Sequence, residues 1–333
     1  MRSEFSVIDW PGASPISPLA TRQPYMNARR RHRACDTFEA VTDGAAAPLA
    51  ANREATEAWN GPLYERWIAF RDLVTAGLAS HGEAALTAHP PPRGGRVLDI
   101  GCGLGDTTRR LAGLVGPDGH AHGIDVAERM IDTAAEEAQE AGVENASFAA
   151  LDVQAHHFEQ TYDYAFSRFG TMFFASPVAA LRNVREALRP GGVLNIVVWR
   201  RKLDNGWLHQ AEQVVERHLD EPEESDEPTC GPGPFSMQNA DTVTDVLLGA
   251  GFGEIELRRY DHPIKIGEDL DHAVAYAEAL GPAAELLRLW GDRANEIRPR
   301  IEAELREALT EFATDNGIVG PASSWLVSAR AGA

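Results

Sequence analysis

Cysteine is scarce in this chain. The three in 333 residues, Cys35, Cys102 and Cys230, stand far apart and form no C-x-x-C pair. That spacing argues against a zinc site and suits a reducing compartment. Long apolar runs are missing too. No segment approaches the ~20 consecutive apolar residues that cross a bilayer. No charged segment followed by an apolar stretch opens the chain, so secretion is not indicated and a cytoplasmic location is expected. Positive charge is in deficit: 31 Lys and Arg stand against 50 Asp and Glu, for a net charge of −19. Such a surface disfavours general binding to nucleic acid or anionic membranes, which needs basic patches. The isolated run Arg29-Arg30-Arg31-His32-Arg33 reads as part of a solvated arm. No internal repeat is evident, and the sequence leaves the oligomeric state open.

What is present begins with Val97-Leu98-Asp99-Ile100-Gly101-Cys102-Gly103-Leu104-Gly105-Asp106. An apolar run containing an acid gives way to alternating glycines. Glycine takes positive φ without penalty and lets a ligand approach the main chain. The segment from Asp106 to Leu111 reads as a helix start, so a ligand would sit over backbone N–H groups at a helix N-terminus. A dinucleotide fingerprint, G-x-G-x-x-G, would place its third glycine at position 106, which is Asp106. The acid at Asp99 repels phosphate and suits a cationic ligand. S-adenosylmethionine, with its sulfonium and α-ammonium, has the right sign. Cys102, inside the turn, reads as a small packed side chain rather than a nucleophile.

Further apolar runs follow. His122-Gly123-Ile124 ends in Asp125, an acid placed to hold ribose hydroxyls. Ala146 to Leu151 ends in Asp152, which could accept from an adenine amino group. Tyr162 to Phe166 leads into Ser167-Arg168-Phe169-Gly170, and Gly192 to Trp199 follows the turn Arg189-Pro190-Gly191. Alternation of strands and helices over this stretch implies parallel strands joined by right-handed crossovers.

The segments VLDIGCGLG, GIDVAERMI, ALDVQ, FSRFGTMFF and LRPGGVL, in this order, resemble the class I S-adenosylmethionine-dependent methyltransferases, most closely the ubiquinone/menaquinone-biosynthesis-type family. The resemblance runs from about Trp59 to the C-terminus. It implies an α/β, Rossmann-like fold: a seven-stranded, mostly parallel sheet with an antiparallel last strand, helices on both faces and a helical cap. It also implies methyl transfer, with S-adenosylmethionine as co-substrate and no metal. On the matching residues, Gly101, Gly103 and Gly105 would let the backbone approach the methionine part, and Asp99 would orient its ammonium. Asp125, with Val126 beside it, would hold the ribose. Asp152 and Val153 would face adenine, and Ser167 and Arg168 would meet the co-substrate where the sheet order reverses.

The acceptor side is less specified. Ser167-Arg168-Phe169-Gly170 departs from the Asn/Asp-Pro-Pro-Tyr/Phe pattern of enzymes that methylate base or glutamine nitrogens. A small, apolar acceptor, methylated at O, C or N, is expected. Phe169, Met172, Phe173, Phe174, Trp199, Trp207 and Phe235 could line its pocket or fill the core. Trp59, Tyr64 and Trp67 could close over the co-substrate or simply pack beside a helix. A general base, if needed, would come from His156, His157, His209 or His262, because neutral imidazole takes protons near pH 7. Two other readings stand beside the enzyme: a binding module that lost catalysis and acts as a sensor or partner subunit, and an NAD-type oxidoreductase, against which Asp106 counts.

The chain divides into an arm over 1–50, cap helices over 51–92, and the main domain over 93–333 with a helical insertion at about 266–320. Leu63, Trp67, Phe70, Val74 and Leu78 predict one helical face, and Pro90-Pro91-Pro92 stops it. Trp207 to Leu219 reads as a helix. The acidic stretch 220–228 reads as a solvated loop. Val243, Val246, Leu247 and Ala250 predict a helix ended by Gly251, Glu254 to His262 a sixth strand, and Ser324 to Ala329 a seventh. The insertion and the Leu63 helix are expected to cap the acceptor site.

Overall fold

Apolar runs broken by glycine and proline become the strands and turns of a computed structural model that describes residues 47–158, 161–219 and 231–332. The run before the glycines is β1 (Arg96–Ile100), with Val97, Leu98 and Ile100 all buried. The following runs are β2 (His120–Asp125), β3 (Ala146–Ala150), β4 (Tyr162–Arg168) and β5 (Leu188–Trp199), then β6 (Phe252–Asp261). A short three-stranded sheet, β7 (Ile264–Gly267), β8 (Ala313–Thr314) and β9 (Gly317–Gly320), precedes β10 (Ser323–Ala331).

The main sheet has seven strands in the order β3-β2-β1-β4-β5-β10-β6. β1 to β5 pair in parallel, and β10 runs antiparallel to both β5 and β6. This is the expected seven-stranded, Rossmann-like α/β arrangement, its last strand antiparallel. The order reverses between β1 and β4, and ligands of open α/β sheets bind outside the strand ends at such a point.

The helices are α1 (Ala47–Asn60), α2 (Pro62–Ala69), α3 (Arg71–Ala88), α4 (Asp106–Val115), α5 (Glu128–Glu140), α6 (Pro177–Ala187), α7 (Gly206–Glu216), α8 (Ala240–Gly249), α9 (Leu270–Ala279), α10 (Pro282–Trp290), α11 (Asp292–Asn295) and α12 (Arg298–Leu309). α4 packs on β1 and β2, α5 on β2 and β3, α6 on β5, and α8 on β6. The C-terminal end of α3 is pinned to the sheet by polar contacts. The Tyr164 hydroxyl donates to His89 O at 2.7 Å, and Asn195 Nδ2 donates to Ala85 O at 3.0 Å.

Several expectations shift. The single Leu63 helix is two helices, broken at Phe70, whose ring packs 5.4 Å from Tyr276. α1 begins at Ala47, inside the stretch read as an arm; residues 1–46 lie outside the described residues, as do the acidic stretch 220–228, Cys35 and Cys230. The stretch 266–320 carries helices α9 to α12 together with strands of the small sheet, which was not foreseen. Its β8–β9 turn is Asp315-Asn316, and Gly317, which opens β9 opposite Thr314, stands at φ +102°. α10 and α12 pack against α7, and no residue of 266–320 lines the cleft described below. The cleft is instead covered by α1, α2 and α3. No helix among the described residues is long and apolar enough to cross a membrane.

Candidate functional site

At the reversal point lies a cleft with an empty volume of about 1050 Å³, part of it open to solvent. The β1–α4 turn forms its floor. Gly101, Gly103 and Gly105 all have positive φ, at +67°, +52° and +74°. Their surroundings differ. A Cβ on Gly101 would press on Gly170 Cα at 3.1 Å, so this glycine lets the β1 and β4 loops meet. Beyond Gly103 the nearest atom is Met130 Sδ at 3.9 Å, which leaves the backbone open to the cleft. A Cβ on Gly105 would meet Phe148 at 2.8 Å and Ala134 at 2.9 Å. Gly105 therefore serves packing against β3 and α5 and does not line the cleft. Arg109 braces the turn from α4: it donates to Leu104 O at 2.9 Å and pairs with Glu137 on α5.

Asp125, at the tip of β2, faces the cleft half-buried. Its Oδ2 accepts from Gly103 N and its Oδ1 from Ala127 N, each at 3.0 Å. Burial pushes its carboxyl above the usual range, against these backbone donors. Each oxygen keeps lone-pair capacity for a hydroxyl donor. Val126 and Val153 line the cleft beside it, with Met130 and Leu151. Arg168, at the end of β4, also reaches the cleft, its Nη2 donating to Asp106 Oδ2 at 2.7 Å.

Four other expected residues stand behind the cleft. Asp99 is fully buried and does not line it. Its Oδ2 accepts from Thr107 Oγ1 at 2.8 Å and Thr108 Oγ1 at 2.6 Å, which holds the first turn of α4 against β1. Its Oδ1 is buried without a hydrogen-bond partner among the described residues. Burial raises its carboxyl to about 6. Asp99 thus braces the turn from behind, at the position expected to orient the ammonium. Ser167 is likewise buried and donates to Ile100 O at 2.7 Å, stitching β4 to β1. Asp152 accepts from Asn52 Nδ2 at 2.6 Å, so it moors α1 rather than facing the cleft. Gly105 is the fourth.

Sequence reasoning missed several wall residues, among them Asn52 and Gln154. Gln154 Oε1 accepts from Ser176 N at 2.7 Å, tying the strand-three loop to the start of α6. The ALDVQ segment contained it, but a glutamine carries no motif signal.

The aromatic residues divide. Trp59, Trp67, Phe169, Phe173 and Phe174 line the cleft. The Trp59 ring lies 5.8 Å from Trp67 and 5.4 Å from Phe173, both edge-to-face. Phe169 stands at φ +60°, strained for a residue with a Cβ, and stacks on Trp199 at 4.0 Å. Met172, Trp199 and Trp207 are buried core, and Phe235 packs at its margin. Tyr64 bonds Thr133 and lies beneath Arg129 rather than over the cleft.

None of the four candidate bases lines the cleft. His156 and His157 are exposed, His262 is exposed and bonds Ser80, and His209 is half-buried elsewhere. His81, buried on α3 and bonded to Ser324 at 2.8 Å, is held to about 4 by burial; it too stays off the cleft. Burial raises the Cys102 thiol, which suits packing and not nucleophilic attack. Among the described residues no cluster of three His, Cys, Asp or Glu could hold a metal.

This sheet order, with a glycine floor and an acid at the tip of β2, is the arrangement expected of a class I methyltransferase domain. Residues 92–243 match the family model described as "Methyltransferase domain". Among curated proteins, the chain is 36% identical over 112 residues to aklanonic acid methyltransferase DauC of Streptomyces sp. strain C5, covering 33% of this chain and 51% of that one. It is 34% identical over 103 residues to demethylmenaquinone methyltransferase of Staphylococcus aureus, covering 31% and 42%. The chain thus spans about half the length, or less, of the curated relatives it matches. Among solved structures, Haemonchus contortus phosphoethanolamine N-methyltransferase 2 in complex with S-adenosylmethionine superposes with a TM-score of 0.51 at 18% identity, covering 88% of this chain and 61% of that one. A Bacillus halodurans protein assigned as a methyltransferase gives 0.50 at 15%, covering 76% and 100%. These two likenesses concern the fold. The family implies S-adenosylmethionine as co-substrate.

Proposed function

We propose that this protein transfers a methyl group from S-adenosylmethionine to a small, largely apolar molecule. The observation that carries this reading is Asp125, a half-buried carboxylate fixed by two backbone donors beside an open glycine turn. The residues present fit the co-substrate. Among the described residues, the charged side chains lining the cleft are Asp106, Asp125 and Arg168, a formal sum of −1, which complements a ligand of net charge +1. Val126, Met130, Leu151 and Val153 supply an apolar slot for a flat ring, and Gly101 and Gly103 leave main chain accessible.

When bound, the sulfonium supplies an already activated methyl group for in-line displacement. The chain's own task is then alignment and exclusion of water. Asp125 would hold ribose hydroxyls. Trp59, Trp67, Phe169, Phe173 and Phe174 would form an aromatic wall for the acceptor and shield the reacting atoms. The strained backbone of Phe169 fixes the start of that wall at the switch point. With no histidine among the described residues lining the cleft, an acceptor that ionises without a general base, such as a carboxylic acid or an acidic phenol, matches best. The two relatives, named for aklanonic acid and demethylmenaquinone, lend support to a small-molecule acceptor.

A screen with methyl-labelled S-adenosylmethionine against quinols, phenols, carboxylic acids and amines tests this. Label in one acidic-oxygen or carbon acceptor class is expected. Label in none, with no binding of S-adenosylhomocysteine, would overturn it.

A further inference from the structure

We propose that Arg168 is the carboxylate anchor of the cleft; this rests on the reading just given. Among the described residues it is the one cationic side chain that lines the cleft. Its stem is guided there by a missing side chain: a Cβ on Gly82 of α3 would lie 3.0 Å from Arg168 Cδ. The side chain is 11% exposed and its partner Asp106 27%. The pair is made through one nitrogen, Nη2 to Asp106 Oδ2 at 2.7 Å. A guanidinium carries five donors in a planar fork matched to a carboxylate, so most of its capacity is unspent in this contact. Asp106 has a second source of stabilisation besides the arginine. It opens α4, where the helix N-terminus favours an acid.

Two carboxylates could reach this fork. One is the amino-acid end of the co-substrate, whose ammonium would then find Asp106 adjacent. That arrangement takes over the role first expected of Asp99, which is buried behind the turn. The other is a carboxylate on the acceptor, brought against the aromatic wall that begins at the next residue, Phe169.

Binding calorimetry separates these sources without requiring turnover. S-adenosylhomocysteine and 5′-methylthioadenosine share the adenosyl part, and only the first has a carboxylate. 1-Naphthoate and 1-naphthalenemethanol differ likewise. In Arg168→Met, the preference for the carboxylate-bearing member of one pair is expected to fall by about 10- to 100-fold, the loss of a charge-assisted hydrogen bond, with 5′-methylthioadenosine binding unchanged. A fall in the first pair assigns the co-substrate's carboxylate, and a fall in the second assigns the acceptor's. Arg168→Lys keeps a charge beside Asp106 but not the fork. It serves if the methionine variant does not fold, and a smaller fall is expected. Both preferences unchanged in both variants would overturn the proposal. If the unaltered protein binds neither adenosyl compound, the methyl-transfer reading falls, and the naphthoate pair alone decides the role of Arg168.

Discussion

Substituting alanine at Gly103, Gly105 and Gly142 separates the parts played by the glycines. All three have positive φ, at +52°, +74° and +66°. A Cβ in the left-handed region costs about 1–2 kcal/mol wherever it is placed. At Gly142 a Cβ meets nothing within 4 Å, and at Gly103 its nearest neighbour is Met130 Sδ at 3.9 Å. Both variants should lose about that much stability and no more. At Gly105 the new carbon would lie 2.8 Å from the Phe148 ring and 2.9 Å from Ala134 Cβ, closer than carbon atoms approach. Phe148 belongs to β3 and Ala134 to α5, so neither can swing aside freely. Overpacking adds about 1–3 kcal/mol, for a total of about 2–5 kcal/mol. Urea unfolding measures the stabilities. Binding of S-adenosylhomocysteine then sorts the variants differently: Gly103→Ala, whose methyl enters the cleft, should lose affinity, and Gly142→Ala should not. Equal stability losses for Gly105→Ala and Gly142→Ala would refute the packing argument, and unchanged affinity in Gly103→Ala would refute the placement of the ligand.

Asp125→Ala removes the acceptor for two backbone donors and for the ligand, so S-adenosylhomocysteine affinity should fall about 10- to 100-fold by calorimetry, with Asp125→Asn intermediate. Asp99 predicts a pH effect. Its folded-state value of about 6 lies above its ordinary 3.8, so the folded protein holds the extra proton and stability from this group falls as pH rises between those values. The loss is on the order of 3 kcal/mol, and Asp99→Asn should flatten that part of the stability-versus-pH curve relative to the unaltered protein. A curve of the same slope would show that the buried carboxyl does not retain its proton. His156→Gln, His157→Gln and His262→Gln, all at exposed positions off the cleft, should leave S-adenosylhomocysteine affinity within about twofold. A tenfold loss in any of them would place that histidine at the site.

Much of the site was legible because its signals are local. Glycines between an apolar strand and a helix start announce a turn, and Asp125 sits at the tip of the next strand by simple counting. The seven strands and the antiparallel last one came from resemblance, since alternation implies parallel strands but not their number or order. What escaped depends on which side of a tip a group faces and on what meets it from elsewhere. Asp99 lies one residue inside its strand's end, opposite Gly123, and α4 folds back so that Thr107 and Thr108 claim it. Asp152 is claimed by Asn52, a hundred residues away. The ion pair between Arg168 and Asp106 joins two elements that no local pattern links. At the Phe70 break the ring packs against Tyr276 in the insertion, a partner no local helical period reveals. The small sheet was within reach: Asp315-Asn316-Gly317 is a run of turn formers.

The most direct test is a calorimetric titration of S-adenosylhomocysteine into the purified protein. One site per chain with roughly micromolar affinity, about 8 kcal/mol, is predicted. No saturable binding at millimolar ligand, or displacement of the bound ligand by NAD, would contradict the assignment of this cleft.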